Sequence, residues 1–244
     1  ETDIDPAKND SKYEKYLKRA VFYPVTSRTL QGLCGQVFAK PIELDLPPGL
    51  EFLESNIDGA GTNFTQQAKE TLSQVLKKGG CGLLADSPVV PPGVVVTKEQ
   101  ALAGKYRPRI VVYGRQQIIN WRVENSGGET QLSMLMLYEL EITDDDGYEF
   151  KCEPRWREFR LETEGGEQDG EEGIAQQKYL VVRKWKRKSS AGGVEVSYEQ
   201  VGEDIWPVDS SQNKLTAIPF SYVGAVNNDE EVDDSPLEGL AGLN

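Results

Sequence analysis

Hydrophobic periodicity changes once along this chain, near Arg109: upstream, apolar side chains recur at helical spacing, and downstream they alternate. A chain that spends its helices first and its strands afterwards cannot build an alternating parallel α/β sheet. It is confined to the α+β class, with helices packed on one side of a mostly antiparallel meander or barrel-like sheet. The composition allows this: of 244 residues 38% are hydrophobic and 27% charged, and a chain of this size typically buries roughly 70% of its unfolded surface without staples.

Upstream of the switch, residues 11–39 read as helix. Leu30, Leu33, Cys34, Val37 and Phe38 share one face, Pro24 breaks the segment and Pro41 ends it. A short helix follows the Pro47-Pro48-Gly49 turn at 50–56. A stronger helix starts at a cap offered by Thr62 or Asn63 and carries the stripe Phe64, Ala68, Leu72, Val75 and Leu76. It places Lys77 and Lys78 at the negative end of its dipole and stops at Gly79-Gly80. Residues 81–85 then read as a buried strand, and a connection through Pro88, Pro91 and Pro92 leads to a helix on the capping box Thr97-Lys98-Glu99-Gln100.

Downstream, strands are expected at 109–113, 118–123, 131–142, 148–161, 178–187, 194–200 and 215–223. Residues 163–173, almost all Glu, Gly, Gln and Asp, are the clearest flexible loop. At the end, Ser235-Pro236-Leu237-Glu238 offers an N-cap Ser, a first-turn Pro and a capping Glu, with Leu237, Leu240 and Ala241 opening a new stripe. The chain stops at Asn244, about two turns later, and begins at Glu1 rather than Met. It therefore reads as a fragment of a longer protein.

The sequence excludes much chemistry. It has no His, so Ser-His-Asp or Cys-His nucleophiles, imidazole bases and His-ligated metals are ruled out within these residues. Cys34, Cys81 and Cys152 are too widely spaced for a zinc knuckle or a redox pair, and read as reduced, mostly buried thiols. No apolar run reaches the ~18 residues of a membrane span, and the acidic N-terminus is unlike a secretory signal. A soluble, intracellular protein without membrane contact is expected.

Asp144-Asp145-Asp146-Gly147 suggests a calcium loop, yet the twelfth position holds Arg155 where a bidentate Glu is needed, so a hairpin turn is expected. Gly59-Ala60-Gly61 lacks the third Gly and the preceding strand of a dinucleotide fingerprint, and no P-loop is present. The basic stretch Arg183 to Lys188 around Trp185 reads as a solvated strand end rather than a nucleic-acid strip. No catalytic, cofactor-binding or metal-ligating residue is nominated. Of the net charge of −13, residues 189–244 hold −10, from 11 acids and one base. Such a chain is poorly suited to gripping nucleic acid. The run Asp229, Glu230, Glu231, Asp233 and Asp234 reads as a solvated acidic linker.

Several segments in a fixed order resemble one family. These are residues 16–30 (Tyr16 through Val21-Phe22-Tyr23-Pro24 to Leu30), Ile57-Asp58-Gly59 through the capped helix to Asp86, Arg107-Pro108 through Ile118-Ile119-Asn120-Trp121-Arg122, and Ile218-Pro219-Phe220 followed by Ser235-Pro236-Leu237. Together they resemble the portal proteins of tailed bacteriophages, whose subunits are commonly about twice as long. The resemblance implies that residues 1–105 are the mainly helical part and 106–228 the β-rich part of the portal wing. Residues 229–244 would then be an acidic linker and the start of a long stem helix, with the remaining stem, clip and crown lying beyond Asn244.

The resemblance also implies a virion protein assembled in the host bacterial cytoplasm as a ring, usually of twelve subunits, at one capsid vertex. Double-stranded DNA would pass through the ring without sequence-specific binding. Terminase, capsid or scaffold and tail adaptor proteins would be its partners, and it would have no cofactor and no catalysis of its own. The alternatives are a non-ring head-tail adaptor or capsid-associated module whose acidic segment docks a basic partner, and a hydrolase or nuclease that holds metal by Asp and Glu alone. Since stem and clip would supply much of the contact between subunits, residues 1–244 alone should run as a monomer or weak oligomer by light scattering while the full-length protein forms rings. A stable ring of the fragment would contradict this expectation.

Overall fold

The structure, a computed structural model, describes residues 13–16, 24–88, 100, 106–126, 128–163, 177–188, 196–209 and 211–241. Of the helix expected at Thr97 only Gln100 is described, in helical conformation, and almost all of the loop expected at 163–173 lies outside the described residues.

Helix α1, Val25–Val37, starts directly after Pro24, as the break at that residue requires. None of its residues is buried, and its apolar face is only half covered. Helix α2 is the single turn Phe52–Ser55. Helix α3, Phe64–Lys78, is capped by Asn63: its side chain accepts from the Gln66 amide, and the Gln66 side chain accepts from the Asn63 amide. It ends at Gly79, which adopts the left-handed φ of 77° that suits glycine.

The strands are β1 Gly80–Asp86, β2 Arg109–Gly114, β3 Ile118–Ser126, β4 Glu129–Asp145, β5 Phe150–Thr163, β6 Lys178–Lys188, β7 Ser197–Ile205 and β8 Phe220–Gly224. They form two antiparallel sheets, not one. The second sheet is the expected meander, β3-β4-β5-β6-β7; the first has the order β2-β1-β8. The fold is α+β with mostly antiparallel sheet, and it is not a closed barrel, because both sheets keep two edge strands. Strand β7 runs five residues past its expected end, and β8 is shorter than expected. The last described element is α4, Glu238–Ala241, preceded by the turn at Ser235, whose hydroxyl accepts from the Leu237 amide.

Strand β1 lies upstream of the periodicity switch, but both its partners lie downstream. Its nearly continuous burial follows from that central place. Cys81 meets the Thr71 carbonyl of α3 on one side, while Leu84 enters the core shared with the second sheet. That core is built on Leu84, Leu135, Leu137, Leu180, Phe159 and Ile218. Gly82 is required here, because a Cβ at this position would overlap the Phe220 ring. By contrast, Gly35 in α1 has open space around it.

In thermal unfolding, Gly82→Ala should therefore cost about 1–3 kcal/mol by overpacking, while Gly35→Ala should stabilise by roughly 0.5–1 kcal/mol through its helix preference. Equal effects of the two changes would contradict the packing at β1.

Candidate assembly interface

The two sheets are joined at one end by charge. Asp86 ends β1, Arg109 is its register partner on β2, and Tyr113 follows on β2; Glu139 on β4 and Arg157 on β5 face them from the second sheet. Arg157 donates to Asp86 at 2.6 Å and lies 3.6 Å from Glu139. Arg109 donates to the other Asp86 oxygen at 2.8 Å, and the Tyr113 hydroxyl donates to Glu139 at 2.6 Å.

The side chains of Asp86 and Arg157 are 8% and 16% exposed. Burial alone would raise the Asp86 pKa, but the two guanidiniums outweigh it and hold the carboxyl below its ordinary value. Burial and the Glu139 charge together raise the Tyr113 hydroxyl. These groups flank a cleft of about 730 Å³ whose other wall is apolar, with Phe159, Leu180, Val182 and Trp206. Chemically, the cluster is largely committed to itself: Asp86 is an ionised carboxylate held by two cations and Tyr113 donates to Glu139, while the buried Nε of Arg157 has no partner among the described residues. It fixes the sheets rather than offering a base or a nucleophile.

Beyond this lock, β4 and β5 continue as a two-stranded arm. The last β3 pairing is Ile118 with Leu137, and the last β6 pairing is Trp185 with Trp156, yet β4 and β5 stay paired out to Asp145 and Phe150. Six further pairs at ~3.4 Å per residue carry the arm about 20 Å outward. The alternation along the strands settles its faces. Leu135 and Leu137 point to the core, so Glu139 and Glu141 share their face, while Leu140 and Ile142 point the opposite way.

On that outer face stand Leu140 at 63% exposure, Ile142 at 56% and Phe150 at 65%, with Cys152 and Pro154 between them. The stripe runs on into the edge-on ring contacts Tyr138–Trp156 and Trp156–Tyr198. The arm, 139–155, carries seven acids and two bases.

A second uncovered apolar surface lies on the helical side. It is a groove of about 440 Å³ lined by Val37 and Phe38 at the end of α1, by α3, and by Leu83, Ile110 and Val223. Gln67, 6% exposed, lines it; its amide nitrogen donates to the Ile110 carbonyl, and its Oε1 has no partner among the described residues.

The motifs singled out in the sequence fall as follows. Asp144-Asp145-Asp146-Gly147 is the hairpin turn at the tip of the arm: Asp146 accepts from the Tyr148 and Glu149 amides, which lower its carboxyl pKa, and Gly147 takes a φ of 87°. The basic stretch is mostly committed to cross-strand partners, with Arg183 on Glu162 and Asp204, Lys184 on Glu141, Trp185 on Glu158 and Lys186 on Glu199. Of the thiols, Cys81 is buried and pushed up to about 11 by burial and the nearby Glu70. Cys34 is half-buried, and Cys152, expected to be covered, is exposed because the arm projects from the body.

The acidic run keeps its side chains exposed or half-buried, but it is anchored to the body. The Glu230 carbonyl accepts from Arg115, Asp233 accepts from the Val226 amide, and the Ser235 hydroxyl donates to Leu76 at the end of α3. Backbone contacts of this kind leave no trace in composition. Arm and lock depend on strand phase and long-range pairing, and only the phase was readable beforehand.

Among the described residues, no group of three Cys, Asp or Glu side chains is gathered as a metal site, and no helix is long and apolar enough to cross a membrane. The chain matches no family model and no curated protein sequence.

Replacing Arg157 by Leu leaves Asp86 buried without its main partner and should cost about 3–5 kcal/mol in chemical unfolding. Arg109→Leu, at a half-exposed position, should cost about 1 kcal/mol or less. Because the folded Asp86 pKa lies below its unfolded value, its contribution is complete above the ordinary carboxylate range and fades as pH falls through the folded value. Asp86→Asn should therefore be clearly less stable than the parent at pH 7 and approach it as pH falls below the ordinary carboxylate range. A gap independent of pH would contradict the ion pair.

Proposed function

We propose that this chain is the wing region of a portal subunit, one copy in a ring at a capsid vertex through which double-stranded DNA passes during packaging and ejection. The observation that carries the proposal is the arm. A two-stranded ribbon is marginal in water, and this one turns Leu140, Ile142 and Phe150 away from its own core. Such a face is made to be covered by another subunit.

Three further features support the reading. The sequence segments that resemble portal proteins span nearly the whole chain. Asp86, Arg109, Tyr113, Glu139 and Arg157 at the inter-sheet cleft are engaged with one another. A chain with net charge −13 repels phosphates, which suits a passage where DNA must slide rather than be held. In this reading the subunit has no catalysis of its own, and terminase, capsid or scaffold and tail adaptor proteins dock on the assembled ring.

Light scattering on the full-length protein, with negative-stain images of the same peak, tests the proposal. A mass of about twelve copies with a central hole is expected. A monomer or dimer over a wide concentration range would overturn the ring and favour a head-tail adaptor that does not close.

A further inference from the structure

We propose that the outer face of the β4–β5 arm of one copy seats in the α1–α3 groove of the next, an inference that rests on the ring reading above. A head-to-tail ring needs two different, mutually complementary patches on every subunit. The structure exposes two apolar surfaces at different places: a projecting ribbon face with Leu140, Ile142 and Phe150, and a concave groove ending at Val37 and Phe38. One is convex, the other concave.

The arm tip is acidic, with Asp144, Asp145, Asp146 and Glu149 against Lys151. At the groove, Lys69 on α3, followed in the chain by Glu70, sits 5.7 Å above the Phe38 ring, and Lys40 comes two residues after Phe38. The groove is also incomplete in hydrogen bonding, since the buried Gln67 keeps an acceptor without a donor among the described residues. An acidic, aromatic hairpin meets the apolar surface and the lysines together, whereas a basic or purely aliphatic partner would satisfy only one of them.

Heterologous docking has a signature that no symmetric contact shares. In a full-length background with Cys34 and Cys152 changed to Ser, Phe150→Cys marks the arm and Val37→Cys marks the groove. Both positions are exposed, so folding should be retained. Treated with a short bismaleimide, the double variant should give a ladder of covalent oligomers up to the ring size. A mixture of the two single variants should give covalent dimers only, and each single variant alone should give none.

Dimers from Phe150→Cys alone would mean that arms pair with arms, and would overturn the proposal. Rings that form with normal mass but show no cross-link in the double variant would overturn it while leaving the ring intact. A protein that stays monomeric throughout would remove both.

Discussion

Arg157 leaves water only because Asp86 and Glu139 meet it there. Its guanidinium crosses from the second sheet to the end of β1, and the partners lie 71 residues apart in sequence. Desolvating such a pair is expensive, and its attraction roughly offsets that cost rather than adding a large surplus. What the pair provides is position. An apolar core of Leu84, Leu135 and Leu137 would tolerate some sliding of one sheet over the other, but a buried cation with a single set of partners does not. Arg157 also lies over the Phe159 ring, at 4.8 Å, so the polar lock and the apolar core share a side chain.

Once that contact is fixed, strand geometry settles the rest. From Leu135 outward the side chains on β4 alternate, so placing Leu135 and Leu137 inward sends Leu140 and Ile142 outward, and the pairing with β5 shifts register only after Ile142. The inner face of the arm is correspondingly charged, with Glu141 held by Arg155 and Lys184. An isolated domain gains nothing from a ribbon built this way round. In an assembly the same arrangement lets the charged face pair within the subunit, through Glu141 and the buried Arg155, and offers the apolar one to a neighbour, which is why the arm, rather than the inter-sheet cleft, carries the functional proposal.

Much of the fold was legible in the sequence because local chemistry determines it. Asn63, Gly79 and the Asp146-Gly147 turn are caps and turns written in a few residues, and the meander strands follow from alternation. The sheet β2-β1-β8 is not legible there: residues 81–85 read as a strand, but its partners are far along the chain, and no local pattern names them. The outward apolar stripe of β4 was there to be read, since the even positions Leu132, Met134, Met136, Tyr138, Leu140 and Ile142 are apolar throughout, while the odd positions are apolar only at Leu135 and Leu137. Reading 131–142 as one strand concealed it, and with it the exposure of Cys152. The anchoring of the acidic run was not legible either: its side chains suggest solvation, and no local pattern names the distant partners of the Glu230 carbonyl, the Asp233 carboxylate and the Ser235 hydroxyl.

Hydrogen exchange on the full-length protein, compared between assembled and dissociated states, bears most directly on the claim that the arm is an assembly element. Amides in such a ribbon open easily when it stands alone. Assembly should slow exchange across Glu139–Arg155 by at least tenfold while the core strand β1 changes little. Exchange in the arm that is the same in both states would contradict the account.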